Sequence, residues 1–199
     1  DVQIADIIDK VVIELIPRGQ ELGIKLSFVK PQQQVKLVHA DPERLEEVLI
    51  NLIGNSFKFT PSGGAINVNL LPEGKNVLVQ VIDTGKGMKP EDIAKLFQKF
   101  GTMGGNYLHK PEAQGTGLGL YLSKSLVELQ GGKIWAESKG KNQGSAFSFT
   151  LAYANLNQAV PPAPELPSVA PSGSSGALAS EAPVTVSVAP TPPAAPSVG

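Results

Sequence analysis

The strongest constraint on the fold is an amphipathic helix that the sequence predicts between Asp41 and Thr60. Asp41 followed by Pro42 is typical of a helix start, because the aspartate can accept from first-turn N–H groups and the proline ring already has a helical φ. One face of this segment is apolar at three- and four-residue spacing, which predicts burial against a core. That face comprises Leu45, Val48, Leu49, Leu52 and Ile53.

A second face of the same helix is polar in an unusual way. It carries Glu47, Asn51 and Asn55 at four-residue intervals, and Lys58 follows three residues later. A solvated face would more often carry Glu–Lys pairs, and asparagine is a mediocre helix former. Taken alone, this face could still be ordinary polar surface, with Lys58 at a solvated helix end.

Two glycine-rich segments follow, Asp-Thr-Gly-Lys-Gly at residues 83–87 and Gly-Thr-Gly-Leu-Gly-Leu at residues 115–120. Asp83 ends an apolar strand before a turn, so its carboxylate could cap an Asx-turn or accept a hydrogen bond from a ligand. The second segment leads into a helix, where free N–H groups and the helix dipole favour phosphate. A Walker A loop is excluded because no Gly-Lys-Ser/Thr end is present, and the spacing differs from a Rossmann fingerprint.

Together with the helix, these segments resemble the ATP-binding catalytic domain of sensor histidine kinases. That domain belongs to the GHKL superfamily, which includes DNA gyrase, MutL and heat-shock chaperone ATPases. The resemblance runs from about Asp1 to Leu151 and rests on four motifs in family order and spacing. They are the N box (Asn51, Asn55, Lys58, Phe59), the first glycine box (Asp83, Gly85, Gly87), the F box (Phe97, Phe100) and the second glycine box (residues 115–120).

The patterning of the chain predicts an α/β fold. Helices are predicted at residues 6–21, 41–60, 90–100 and 118–130, and strands at residues 24–28, 35–38, 66–70, 77–82, 133–138 and 146–151. Pro17 is expected to kink or end the first helix. Three longer helices and about five strands, with consecutive hairpins, indicate a two-layer α/β sandwich with a mixed sheet and the helices on one face. The resemblance implies the same architecture, the Bergerat-type fold.

The resemblance also implies roles for the N box and the first glycine box. Asn55 is implied as the Mg²⁺ ligand and Asn51 lies near the phosphates, which agrees with the few protein ligands that Mg²⁺ takes beside a nucleotide. Lys58 would bring positive charge to the terminal phosphates. Phe59 matches the position whose ring lies against adenine, although core packing explains it equally well. Asp83 would accept from the exocyclic amine of adenine.

The glycine boxes would hold the nucleotide by their backbone. Gly85 and Gly87 would let the backbone come close to the base or take a φ above zero. The second box contributes Gly115, Thr116, Gly117, Leu118 and Gly119. Lys124 would lie near the phosphates and is implied as catalytic, with Asn51 and Lys58. Residues 101–114 would form a lid over ATP.

The resemblance implies transfer of the γ-phosphoryl group of ATP to a histidine on a separate helical-hairpin dimerisation and phosphoacceptor domain, with a response regulator receiver domain as a further partner. A clamp-type ATPase is the alternative. It is disfavoured because Asn51 stands where that branch has a glutamate, and an amide cannot abstract a proton from water. A non-catalytic ATP-sensing or docking module is a third hypothesis. His39 and His109 lack the His-Glu context of a phosphoacceptor, so we expect both to be ordinary.

Composition sets the remaining expectations. From Asn155 onward the chain has no lysine or arginine and is rich in Pro, Ala, Ser and Val, which predicts a disordered tail or linker at 155–199 after a domain at 1–154. Removing the tail's two glutamates, Glu165 and Glu181, from the 18 acidic residues leaves 16 against 17 basic ones. This balance and the lack of an 18-residue apolar run argue against nucleic-acid binding and membrane contact. The absence of cysteine fits a reducing compartment. We expect a cytoplasmic fragment of a longer protein, which a preceding segment could anchor to a membrane.

Overall fold

Helices pack on a five-stranded mixed sheet in the computed structural model, which describes residues 1–31, 35–99 and 117–154. The elements in chain order are α1 (Ile4–Leu22), β1 (Lys25–Val29), α2 (Pro42–Phe59), β2 (Ala65–Glu73), β3 (Asn76–Asp83), α3 (Pro90–Ile93), α4 (Gly119–Leu129), β4 (Lys133–Glu137) and β5 (Ser145–Ala152). The predicted α/β class with five strands and three main helices is confirmed.

The sheet has the strand order β1-β2-β3-β5-β4. β1 runs parallel to β2 and every other pair is antiparallel, so the predicted β2–β3 hairpin is present. β3 lies at the centre, as its apolar residues on both faces predicted. Its inward side chains Val77, Val79 and Val81 are fully buried in the core that α1, α2 and α4 share.

The predicted start of α2 is confirmed. Asp41 Oδ1 accepts from the backbone N–H groups of Glu43 at 3.0 Å and Arg44 at 3.2 Å, and Pro42 occupies the first turn. All five predicted apolar residues of α2 are fully buried. This packing fixes the rotation of the helix and therefore the direction of its polar face.

The first helix is confirmed close to its predicted bounds, and Pro17 does not end it, because the helix continues to Leu22. Two local predictions were wrong. Residues 35–38 are not a strand, since only Val38 forms isolated bridges. The helix predicted at 90–100 stops at Ile93. The segment after it continues in turns with i→i−3 hydrogen bonds, which still bury Leu96.

Several predicted features lie outside the described residues: the lid at 101–114, Phe100, His109, Gly115, Thr116 and the tail from residue 155. The domain boundary at 154 therefore stays a prediction. His39 is exposed, and its Nδ1 lies 3.2 Å from Asp1 Oδ1.

Candidate functional site

Helix α2 contacts both glycine-rich segments, which are far apart in sequence. At its middle, Asn51 faces the start of α4, where a Cβ added to Gly119 would lie 3.3 Å from Asn51 Oδ1. At its C-terminal end, Ser56 Oγ lies 3.5 Å from Asp83 Oδ2. The structure thus brings the N box and parts of both glycine boxes together along one helix.

Asp83 is a buried carboxylate with defined donors. It is 4% exposed, and its Oδ1 accepts from the N–H groups of Gly85 at 2.8 Å and Ser145 at 3.2 Å. Burial raises the pKa of Asp83 above its ordinary value, and the bonds from Gly85, Ser145 and Ser56 offset part of that rise. The Asx-type contact to Gly85 is therefore present. A ligand role remains compatible with it, because the second oxygen has only the Ser56 hydroxyl as a donor within the described part of the chain.

The turn after Asp83 is held from two sides. Lys86 N–H donates to the Phe59 carbonyl at the end of α2 at 3.1 Å, and Gly144 N–H donates to the Gly85 carbonyl at 3.1 Å. Gly87 has φ +61°, and a Cβ there would collide with the Gly140 carbonyl oxygen. Only glycine combines this φ with this close approach.

Residues 138–145, between β4 and β5, support this turn and were missed by sequence reasoning. Asn142 N–H donates to the Lys86 carbonyl at 2.6 Å, and Ser138 Oγ accepts from Met88 N–H at 3.0 Å. These bonds are mostly between backbone groups, and backbone groups leave no signature in the sequence. Ser56 was also missed, although it lies inside the N box.

The two predicted amides of α2 are half-buried. Asn55 Nδ2 donates to the Asn51 carbonyl at 2.8 Å, one turn earlier. Asn55 Oδ1 has no donor among residues 1–31, 35–99 and 117–154, so this oxygen can ligate a cation. The same ranges contain no group of three or more His, Cys, Asp or Glu residues able to hold a metal ion.

Lys58 and Phe59 lie at the C-terminal end of α2. Lys58 is exposed, and its Nζ lies 5.4 Å from the centre of the Phe59 ring. Phe59 is half-buried and does not belong to the hydrophobic core formed by the described residues, unlike its neighbour Phe57, which is 8% exposed. The core-packing alternative for Phe59 is therefore not supported, and its ring can contact a ligand.

The first turn of α4 presents backbone donors. Leu118 is its N-cap and makes no capping hydrogen bond through its side chain, and Gly117 before it has φ +67°. The first N–H groups of a helix have no partner within it, so they can bind an anion. Lys124 Nζ lies 3.8 Å from Glu128 Oε1, one turn further from this end, and the role of Lys124 near the phosphates stays a prediction.

A cavity of about 450 Å³ opens between the N-terminal halves of α2 and α4. Its lining comprises Glu43, Glu46, Glu47, Ile50, Asn51, Leu118, Gly119 and Leu122. Neither Asp83 nor Phe59 contributes to it, and three carboxylates would repel a triphosphate. This cavity therefore adjoins the candidate site at Asn51 without being its base-binding part.

Comparison with known proteins identifies the family. Residues 40–155 match the family model described as histidine kinase-, DNA gyrase B-, and HSP90-like ATPase. The chain belongs to this family. Within the described residues of this family member, no helix has both the length and the apolar character needed to cross a bilayer.

The relatives of this family member include histidine kinases. The circadian input-output histidine kinase CikA of Synechococcus elongatus is 41% identical over 133 residues, which cover 67% of this chain and 17% of CikA. The chain thus spans about a sixth of that relative. The resemblance to the ATP-binding catalytic domain of sensor histidine kinases is confirmed.

Solved structures share the fold. The catalytic domain of the histidine kinase ThkA superposes with a TM-score of 0.65 at 28% identity, covering 76% of this chain and 93% of that domain. ThkA in complex with the response regulator TrrA gives 0.62 at 25% identity, over 77% of this chain and 41% of that one. Full-length ShkA in complex with AMPPNP gives 0.65 at 28% identity, over 77% and 31%. The Bergerat-type architecture is therefore confirmed, whereas the roles of individual site residues stay predictions.

Proposed function

We propose that this chain binds ATP–Mg²⁺ and donates the γ-phosphoryl group to a histidine on a separate dimerisation and phosphoacceptor domain. The observation that carries the proposal is the position of α2, which contacts Gly119 of the second glycine box through Asn51 and Asp83 of the first through Ser56. A nucleotide lying along α2 would reach an adenine acceptor at one end and helix N–H donors at the other. Membership of an ATPase family supports the same conclusion.

The base would bind at the C-terminal end of α2. Asp83 Oδ2 would accept from the 6-amino group of adenine, and the Phe59 ring would lie against the base. Gly85 and Gly87 would let the backbone make the tight turn that borders the base, because a Cβ at Gly85 would lie 2.5 Å from the Phe59 carbonyl oxygen and a Cβ at Gly87 would collide with the Gly140 carbonyl oxygen. Each of these roles is compatible with the burial of Asp83 and the partial exposure of Phe59.

The phosphates would bind between the middle of α2 and the first turn of α4. The N–H groups after Gly117 would bind phosphate oxygens with help from the helix dipole. Asn55 Oδ1 would hold Mg²⁺, which supplies neutralisation of phosphate charge when it is bound. Lys58 would add positive charge at the terminal phosphate, and Lys124 could do so after leaving Glu128.

Transfer to a histidine is favoured over hydrolysis by the chemistry of Asn51. Phosphoryl transfer depends mainly on positioning and charge stabilisation. Hydrolysis by a clamp-type ATPase needs a base for water, and the Asn51 amide cannot serve as one. The carboxylate one turn earlier, that of Glu47, forms an ion pair in which its Oε2 lies 3.3 Å from Arg44 Nη1. The site therefore suits an acceptor that arrives with its own nucleophile.

The partners would follow from this reaction. The phosphoacceptor would be a helical hairpin elsewhere in the longer protein, and a response regulator receiver domain would take the phosphoryl group from it. The similar histidine kinase ThkA forms a complex with the response regulator TrrA, which supports a response regulator as a partner. We propose a cytoplasmic location, where ATP and the receiver domain are available.

The test mixes the full chain with γ-labelled ATP, Mg²⁺ and a dimeric helical hairpin that carries a phosphoacceptor histidine. Acid-labile label on the hairpin is the expected result. Release of inorganic phosphate without labelling would contradict the proposal and favour a clamp ATPase. Nucleotide binding without either product would contradict it in favour of a sensing module.

A further inference from the structure

The Ser56 side chain lies directly behind the proposed adenine-binding carboxylate. Ser56 is fully buried, and its hydroxyl points to Asp83 Oδ2 at 3.5 Å. A serine inside a helix commonly returns its hydroxyl to the carbonyl one turn back, as Ser125 does to Tyr121 at 3.2 Å in α4. Ser56 instead contacts a carboxylate on a different element, so helix formation alone does not explain its hydrogen bond.

The donors around Asp83 are distributed unevenly between its two oxygens. Oδ1 accepts from the backbone N–H groups of Gly85 and Ser145, and Oδ2 is approached by the Ser56 hydroxyl. A carboxylate oxygen accepts about two hydrogen bonds. Oδ1 is therefore saturated, whereas Oδ2 has one acceptor position left within the described surroundings.

We propose that Ser56 is a positioning residue that fixes the plane of the Asp83 carboxylate, so that the remaining acceptor position of Oδ2 faces the 6-amino group of adenine. The inference rests on the proposed function and adds a determinant of base specificity to it. Without Ser56, the two bonds on Oδ1 would still anchor the carboxylate, but nothing described would hold Oδ2 in one direction. Selectivity for a purine with a 6-amino group should then fall.

The size of the effect follows from the distance. At 3.5 Å the hydroxyl–carboxylate contact is long for a hydrogen bond between oxygens, so its contribution is modest although the acceptor is charged. We expect Ser56→Ala to weaken ADP binding about 3- to 10-fold. Binding of purine riboside 5′-diphosphate, which has hydrogen in place of the 6-amino group, should stay nearly unchanged.

Isothermal titration calorimetry of the full chain with Mg²⁺ and each diphosphate tests this. The matched control is Ser148→Ala, which removes another fully buried serine hydroxyl on β5, bonded to Gln80 at 3.3 Å. The dissociation constant of purine riboside 5′-diphosphate divided by that of ADP measures the selectivity for the 6-amino group. This ratio should fall in Ser56→Ala and keep its wild-type value in Ser148→Ala. Ser56→Cys, which retains a weak donor of similar size, should give an intermediate ratio.

Two other results of the Ser56→Ala titrations would overturn the inference. An equal loss of affinity for both diphosphates would mean that Ser56 acts only on packing. Unchanged ADP affinity in Ser56→Ala would mean that Asp83 needs no second anchor. In both cases wild-type binding of ADP would leave the proposed function intact, whereas failure of the wild-type chain to bind either diphosphate would overturn both.

Discussion

Replacing Asp83 by alanine should destabilise the fold much more than replacing it by asparagine. Alanine removes the acceptor of two buried N–H groups, those of Gly85 and Ser145. Each orphaned donor costs about 1–3 kcal/mol. Part of this cost is offset, because the substitution also removes a carboxylate whose burial disfavours its charge. We therefore expect Asp83→Ala to lower the free energy of unfolding by about 2–4 kcal/mol.

Asparagine keeps an oxygen where Asp83 Oδ1 lies, so both backbone bonds can persist. Its cost should be below about 1 kcal/mol. Urea unfolding at pH 7, followed by fluorescence of Trp135, the chain's single tryptophan, measures both variants. Equal destabilisation by alanine and asparagine would refute the reasoning, because charge rather than an acceptor for Gly85 and Ser145 would then hold the turn.

A comparison of the wild-type chain with Asp83→Asn tests the raised pKa of Asp83. Because the folded pKa lies above the unfolded value, the protonated form favours folding, and this contribution is fully present below the unfolded pKa, near 3.8. It is lost as the pH rises through the folded pKa. The free energy of unfolding of wild type minus that of Asp83→Asn should therefore fall as the pH is raised through that window. A difference that rises would contradict the assignment.

Three further predictions concern the site and the core. Asn55→Ala should abolish the Mg²⁺-dependent part of ATP binding, measured by calorimetry with and without Mg²⁺. The control is Asn69→Ala, which replaces a similarly half-buried asparagine and should keep the Mg²⁺ dependence. Unchanged Mg²⁺ dependence in Asn55→Ala would reject Asn55 as the ligand. Gly117→Val should weaken ATP binding, because a β-branched residue disfavours φ +67°, and Gly74→Val, at φ +59° in the β2–β3 turn, is the control. Leu52→Ala should cost about 2–5 kcal/mol in urea unfolding, since Leu52 is fully buried; a cost below 1 kcal/mol would contradict its core position.

The sequence predicted the helix α2 well because two independent signals agreed there. The Asp41–Pro42 start and the apolar spacing both depend on local geometry, which a helix converts directly into faces. The apolar spacing predicted α1 to about residue 21 despite Pro17, and the helix does continue past the proline to Leu22. Residues 35–38 have strand-like composition, but whether a strand forms depends on an available partner, and only Val38 finds one.

In the candidate site, sequence reasoning found the residues with unusual side chains and missed those that act through the backbone. Asn51, Asp83 and the glycines stand out by type and spacing. The support from residues 138–145 depends on carbonyl and N–H groups that any residue could supply. Lys124 had the expected position along α4, but its ion pair with Glu128 depends on a side-chain conformation that spacing does not determine.

The arrangement of α2 also explains why the proposed ligand groups need no rigid frame of their own. Asn51 and Asn55 are each adjacent in sequence to a fully buried residue, Leu52 and Ser56 respectively. Successive helical residues point about 100° apart, so the amides cannot rotate about the helix axis unless the core side chains leave their places. The stabilisation gained by burying the apolar face of α2 therefore also holds the amides in position. The backbone of α2 is tied to the first glycine box by the bond from Lys86 N–H to the Phe59 carbonyl, which keeps Asp83 and the amides in a fixed relation before any nucleotide arrives.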